Sequence, residues 1–227
     1  MFEHKQVYII GDVHGCYITL MKLIEQLPNK EKSHLIFVGD LIDRGNDSAR
    51  VVEFVKNGGY TCIKGNHEAV MVDAYETNNM RDWLSSGNGG EHTMLSYENV
   101  PHVTLLEHLM WMQGLPDYLE YDIKDENDKT LFVTHGFGLP FYQSKNPIYL
   151  RNSRISKSIL YGAQKPLYPY EQNYLQYPVF NVFGHDHFKE PWMTEQFCSI
   201  DTGCVYDGTL SALEYPSKRV FIQKYID

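Results

Sequence analysis

The stretch 7–15, VYIIGDVHG, turns abruptly from an apolar run into glycine and polar residues. The run Val7–Ile10 contains no polar interruption, which is typical of a strand buried on both faces. The same pattern recurs in HLIFVGDLIDRG at 34–45 and in YTCIKGNHE at 60–68. Each of these predicted strands therefore ends at a glycine that precedes an acidic or amide residue.

Amphipathic segments at 17–27, 48–56 and 67–76 separate and follow these strands and predict helices. Alternation of strand and helix favours parallel strands joined by crossover helices. A further helix is predicted at 103–112, and further strands at 118–123, 130–134, 179–183, 197–201, 210–214 and 220–224. No linker or repeat divides the chain, so we expect residues 1–227 to form a single domain.

The charge balance narrows the choice of partners. Twenty Lys and Arg against 29 Asp and Glu give a net charge of −9, which disfavours a nucleic-acid polymer as partner. No apolar run approaches the roughly 20 residues that a membrane span needs. The first residues do not have the layout of a secretion signal, and the four cysteines form no CxxC pair. We therefore expect a cytoplasmic protein without a membrane partner.

Polar side chains follow five predicted strands, since VTHG at 133–136 and VFGHDH at 182–187 repeat the pattern. The carboxyl ends of strands in open α/β sheets are where ligands bind, so these side chains are expected at one rim. The candidate metal ligands are Asp12, His14, Asp40, Asn66, His135 and His185, with His187 nearby.

Carboxylate, amide and imidazole donors without a thiolate suit Mn, Fe or Zn better than Ca or Mg. The donors are too many for one tetrahedral zinc and suit two ions that share a bridging carboxylate, an arrangement used for in-line displacement at phosphorus. Each motif alone could be a turn or a helix cap. Their occurrence together, each after a predicted strand, favours a site.

The motifs GDVHG, GDLIDRG, GNHE, HG and GH resemble those of the calcineurin-like metallophosphoesterase superfamily, and within it the phosphoprotein phosphatase family. WLSSGNGG at 83–90, IYLRNSRI at 148–155 and IDTGCV at 200–205 extend the resemblance over nearly the whole chain. It implies an α/β/β/α sandwich of two mixed sheets flanked by helices.

The resemblance also implies a role for each residue. Asp12 and His14 would hold the first metal, Asp40 would bridge, and Asn66, His135 and His185 would hold the second. His67 would be the general acid with Asp43 as its orienting partner, and Arg44 and Arg151 would bind the phosphate. A carboxylate keeps an imidazole charged and oriented, and guanidinium groups match phosphate in a bidentate way.

The implied enzyme is a phosphomonoester hydrolase with two divalent ions, Mn first and Fe or Zn as alternatives, and a metal-bridging hydroxide. The resemblance implies a serine/threonine protein phosphatase, with dual specificity as an extension, and its substrate would be a phosphorylated protein or a small phosphoester. Two departures stand out: position 64 is Lys rather than Arg, and GHDH places His187 where other branches have a metal ligand.

Three other functions compete with this one. A symmetrical dinucleoside tetraphosphate hydrolase has the same fold, but the intact Asp43, Arg44 and Glu68 favour the phosphatase. A non-catalytic metal-binding scaffold is disfavoured because every catalytic position is filled. A nuclease is disfavoured by the charge of −9.

Overall fold

The computed structural model describes residues 6–85, 87–142 and 177–227. Its strands are β1 (Val7–Ile10), β2 (His34–Phe37), β3 (Thr61–Cys62), β4 (Tyr118–Lys124), β5 (Thr130–Thr134), β6 (Val179–Phe183), β7 (Trp192–Met193), β8 (Phe197–Ser199), β9 (Thr209–Tyr215) and β10 (Val220–Lys224). Its helices are α1 (Tyr17–Gln26), α2 (Ser48–Asn57), α3 (Asn66–Thr77), α4 (Gly90–Ser96), α5 (His102–Gln113) and α6 (Leu139–Tyr142), with 3-10 turns at Lys30–Lys32 and Cys204–Tyr206.

The strands form two mixed five-stranded sheets, in the orders β10-β9-β1-β2-β3 and β4-β5-β6-β8-β7. In the first sheet β1, β2 and β3 are parallel, whereas β9 pairs antiparallel with both β1 and β10. In the second sheet β5, β6 and β8 are parallel, and β4 and β7 close its two edges in antiparallel fashion. The predicted architecture of two mixed sheets with flanking helices is confirmed.

The alternation of side chains along β1 explains how the layers pack. Val7 and Ile9 point into an apolar core that is shared with the second sheet, where Val133 and Val182 face them. Tyr8 and Ile10 point to the other face, into the core that the sheet forms with the helices. The strand is thus buried on both faces, as its uninterrupted apolar run predicts.

Several elements differ from the sequence prediction. Strand β7 and helix α6 have no predicted counterpart, and β8 ends at Ser199 rather than at 201. Strand β3 is only Thr61–Cys62, shorter than the strand that YTCI at 60–63 predicts. Helix α4 (Gly90–Ser96) begins at the end of 87–90, whose glycines predict a loop. Gly89 has a left-handed φ of 74° and allows the chain to turn directly into that helix. In the described part of the chain, no helix combines the length and the apolar character that crossing a membrane requires.

Candidate metal and phosphate site

The strand ends bring the predicted polar residues to one edge of the sandwich. The loops that carry them adopt left-handed backbone conformations at five residues that are not glycine: His14, Asp40, Asp43, Arg44 and His185, with φ between 46° and 71°. Such conformations are uncommon outside glycine and concentrate at functional sites, where the surrounding structure must hold them. The unusual backbone therefore coincides with the predicted site.

The carboxylate of Asp40 lies at the centre of the cluster. Its Oδ2 faces three imidazole nitrogens: Nε2 of His135 at 3.3 Å, Nε2 of His14 at 3.7 Å and Nε2 of His67 at 3.9 Å. Burial by itself would raise the pKa of Asp40, but His135 and His67 hold it well below its usual range. Asp40 is therefore a buried anion surrounded by imidazoles.

Asn66 lies beside His135 and His185 in the same cluster. Oδ1 of Asn66 is 2.9 Å from Nε2 of His135 and 2.8 Å from Nδ1 of His185, and these two nitrogens are 3.2 Å apart. Two groups of potential ligand atoms, each within 4.8 Å of one another, share Asp40: one adds His14 and His67, the other His135 and His185. The shared carboxylate is the position expected of a bridge between two ions.

Backbone carbonyls fix the tautomers of two of the histidines. Nδ1 of His14 is 2.7 Å from the carbonyl oxygen of Ile42, and Nδ1 of His135 is 2.8 Å from that of Val38. Because a carbonyl only accepts, each Nδ1 donates, which leaves Nε2 directed into the cluster as a lone-pair donor when the ring is neutral. Burial holds the pKa of His14 well below its usual range, while the charge of Asp40 overcomes burial at His135 and raises its pKa to about 10.

Asp12 provides the test of whether a cation fits. Its Oδ2 accepts a hydrogen bond from the backbone nitrogen of His185 at 3.0 Å, but its buried Oδ1 has no hydrogen-bond partner among the described residues. Burial and the nearby carboxylate of Asp201 raise the pKa of Asp12 well above its usual range. A buried carboxylate oxygen without a donor, beside other carboxylates and imidazole lone pairs, fits a bound divalent ion.

His67 and Asp43 form a buried pair next to this cluster. Nδ1 of His67 lies 2.7 Å from Oδ2 of Asp43, so Nε2 is the nitrogen left to face the reacting groups. Asp43 also accepts hydrogen bonds from Nε1 of Trp83 at 3.0 Å and from the hydroxyl of Thr93 at 2.7 Å. The carboxylate is therefore held from several sides.

Arg44 extends from the same loop to the edge of the cluster, where its Nη1 donates to Nε2 of His14. This contact places a guanidinium beside the buried carboxylates, as expected of a phosphate-binding residue. Arg151, the second phosphate-binding candidate, lies outside the described residues. Lys64 points elsewhere, since its Nζ donates to the carbonyl oxygen of Gln113 at 2.8 Å.

The role of Glu68 is not apparent from the sequence motif alone. Its Oε2 accepts from the backbone nitrogens of Asp40 and Gly65, both at 2.9 Å, and its Oε1 accepts from that of Leu41 at 2.8 Å. One buried side chain thus joins the loop after β2 to the start of α3. The sequence signal for this role is the acidic residue in GNHE, because an acidic residue at that position is typical of the first turn of a helix.

Asp201 and His187 are the remaining ionisable groups near this edge. Asp201 is buried and its Oδ1 accepts from the backbone nitrogen of Gly203 at 2.9 Å, and burial raises its pKa to about 6. The resemblance in IDTGCV marks this segment but does not indicate that its carboxylate lies close to Asp12. His187 is exposed, and its ring centroid lies 5.2 Å from that of Tyr206.

A buried rim of carboxylates and imidazoles at the ends of parallel strands, with a guanidinium beside it, is the arrangement expected of a metal-dependent phosphoesterase. The chain belongs to the calcineurin-like phosphoesterase family, whose pattern matches residues 5–189. It is similar to serine/threonine-protein phosphatase 2 of Escherichia coli, with 29% identity over 92% of each chain.

It is also similar to the asymmetrical bis(5'-nucleosyl)-tetraphosphatase PrpE of Anoxybacillus flavithermus, with 29% identity over 92% of this chain and 89% of that one. Among solved structures, a crystal structure described as that of a proposed diadenosine tetraphosphatase superposes with a TM-score of 0.68. The superposition covers 99% of this chain and 96% of the other at 21% identity, and it shows the shared fold. The protein is therefore a phosphoesterase of a metal-dependent family.

Proposed function

We propose that this enzyme is a serine/threonine protein phosphatase, with dual specificity as an extension, that uses two divalent ions. The observation that supports it most is the buried pair of His67 and Asp43 beside the shared carboxylate of Asp40. Such a pair places a proton donor next to the metal ligands, which the cleavage of an alkyl phosphoester requires because its leaving alkoxide is a strong base.

The ions would be held by Asp12, His14, Asp40, Asn66, His135 and His185, with Asp40 shared between them. When bound, they supply positive charge to the phosphate oxygens and make a water molecule more acidic. Manganese is the first choice, with iron or zinc as alternatives, because the donors are oxygen and imidazole nitrogen without sulfur.

The chain's own residues perform the remaining tasks. Arg44 would exchange its contact with His14 for a bidentate contact with the phosphate, which orients the ester bond. Nε2 of His67 would then give its proton to the departing oxygen. Asp43, fixed by Trp83 and Thr93, holds the opposite nitrogen and stabilises the charged imidazole.

The second candidate is the hydrolysis of dinucleoside tetraphosphates, which the similarity to PrpE supports. The alternative function in the sequence analysis is a symmetrical dinucleoside tetraphosphate hydrolase, whereas PrpE is named as an asymmetrical one. The two modes differ in products: symmetrical cleavage of diadenosine tetraphosphate gives two ADP, and asymmetrical cleavage gives ATP and AMP.

Turnover of a phosphoserine peptide, a phosphotyrosine peptide and diadenosine tetraphosphate by manganese-reconstituted protein tests the assignment. We expect kcat/KM to be highest for a phosphopeptide, and chromatography of the nucleotide products identifies any cleavage mode. A strong preference for the tetraphosphate would replace the protein phosphatase with the second candidate. The Asp12→Asn variant, prepared in parallel, shows whether a contaminating enzyme contributes to the activity.

A further inference from the structure

An exposed aromatic ring stands at the mouth of the candidate site. Tyr206 is 54% exposed, although Arg44 and His187 both lie close to its ring. The guanidinium carbon of Arg44 is 5.5 Å from the centroid of this ring, and the imidazole of His187 is 5.2 Å away on a tilted plane. Arg44 therefore contacts both Tyr206 and His14 and connects the exposed ring to the cluster of candidate ligands.

The position of this ring is set by its backbone. Tyr206 ends the 3-10 turn Cys204–Tyr206, and its nitrogen donates to the carbonyl oxygen of Gly203 at 2.9 Å. Gly203 and Asp207, which flank the turn, both have left-handed φ angles, 69° and 59°. The nitrogen of Gly203 in turn donates to the buried Asp201. These hydrogen bonds hold the turn in place, and the turn leaves the ring of Tyr206 exposed to solvent.

Single exposed aromatic side chains are common and carry little meaning by themselves. This one differs because its neighbour is a guanidinium at the edge of the carboxylate and imidazole cluster. A phosphate held by Arg44 would place the group attached to that phosphate beside the ring of Tyr206. A planar aromatic group can stack on such a ring, whereas a short alkyl group buries little surface there.

We propose that Tyr206 is a specificity-determining residue that stacks against a planar aromatic group carried by the phosphoester substrate. This inference rests on the proposed function of the site as a phosphate ester hydrolase. The aromatic group has two chemical sources, the base of a nucleotide or the phenyl ring of a phosphorylated tyrosine. The imidazole of His187 lies close to the ring of Tyr206, with an interplanar angle of 41°.

Matched ligand pairs isolate the ring from the phosphate. AMP and ribose 5-phosphate differ only in the base, and phosphotyrosine and phosphoserine differ in the phenyl ring. Their affinities are measured as inhibition constants against p-nitrophenyl phosphate, from initial rates of the manganese-loaded wild-type protein. We expect the ligand with a ring to bind about five- to tenfold more tightly in at least one pair, the size expected for one stacking contact.

Substitutions then assign the preference to Tyr206. Tyr206→Leu should abolish the ring preference while it leaves the affinity for ribose 5-phosphate or phosphoserine within about twofold, since the guanidinium is kept. Tyr206→Phe should retain the preference because stacking needs the ring and not the hydroxyl. The pair that loses its preference identifies the source of the aromatic group. Thermal unfolding and metal content of each variant verify that the fold is intact.

The results that would contradict the stacking role differ from those that would contradict the proposed function. Equal affinities within both pairs in wild-type protein, or equal weakening of all four ligands by Tyr206→Leu, would overturn the stacking role and leave the proposed function standing. Failure of wild-type protein to bind inorganic phosphate or to hydrolyse any phosphoester would overturn both.

Discussion

Nδ1 of His67 lies 2.7 Å from Oδ2 of Asp43, and both side chains are buried, with 2% and 0% of their surfaces exposed. Nε2 of the same imidazole is 3.9 Å from Oδ2 of Asp40. His67 therefore stands between a carboxylate that holds it and a carboxylate expected to bind metal. This position is compatible with a proton donor and with a ligand, and substitution separates the two roles.

His67→Asn should reduce turnover of an alkyl phosphoester by roughly 10²–10⁴-fold and leave metal content unchanged, because positioned proton transfer contributes an effect of this size. The loss should be smaller on p-nitrophenyl phosphate, whose leaving group needs little protonation. Steady-state kinetics on both esters and elemental analysis make the comparison. Equal losses on both esters, or loss of metal, would make His67 a ligand or a structural residue.

Asp43→Asn should have the same pattern of losses with smaller size, since it removes only the charge that holds the imidazole. The hydrogen-bonding groups of Trp83 and Thr93 would remain near the amide. A loss as large as that of His67→Asn on both esters would indicate that the pair acts as a unit.

Asp40→Asn should weaken both metal sites together, because its carboxylate is shared by the two groups of ligand atoms. Asp12→Asn should chiefly affect one site, which makes it the matched control. The measurement is the number of manganese ions bound per chain as a function of free manganese concentration. Two fully occupied ions and intact activity in Asp40→Asn would show that the bridge lies elsewhere.

Treatment with a strong chelator should abolish activity, and added manganese should restore it better than zinc or magnesium. The reason is the donor set of carboxylates, an amide and imidazoles without a thiolate. Phosphatase assays on the chelated protein, titrated with each ion, make the test. Full activity after exhaustive chelation would contradict the two-ion proposal.

Glu68→Gln should lower the free energy of unfolding of the metal-free protein by roughly 1–3 kcal/mol, because buried backbone donors would face the amide nitrogen of Gln where they now meet a carboxylate oxygen. Denaturation in urea gives the difference. Glu25→Gln is the control, since that side chain is 58% exposed and pairs with Lys22 on the surface of α1. Equal stability of the Glu68 variant and the wild type would show that the two loops are held by other contacts.

Asp227→Ala should cost about 0.5–2 kcal/mol of stability, the usual effect of losing a helix cap. Its carboxylate accepts from the backbone nitrogens of Ile18 at 2.8 Å and Thr19 at 3.0 Å, in the first turn of α1. Glu25→Ala removes a carboxylate that is 58% exposed on the same helix and should be nearly neutral. Similar urea midpoints for both variants would exclude a capping role for Asp227.

Most of the fold could be predicted because its strands are short apolar runs that stop at a glycine and a polar residue. Helix α4 could not, because Gly89 and Gly90 predict a loop whereas the structure uses the left-handed conformation of Gly89 to begin a helix. The helix matters to the site, since Thr93 within it donates to Asp43, a residue 50 positions earlier in the chain. A contact of that sequence separation depends on how α4 packs against the loop between β2 and α2.

The sequence by itself determined which donors this site contains and that they meet at one edge, because parallel strands present their carboxyl ends together. Only the tertiary structure decided that Oδ2 of Asp40 faces the imidazoles of His14, His67 and His135. It also decided that, among the described residues, a buried oxygen of Asp12 has no donor and that Tyr206 lies beside Arg44. Those relationships are distances of a few ångströms between atoms of separate loops. They follow from left-handed backbone conformations and from the packing of two sheets, which no local pattern of residues encodes.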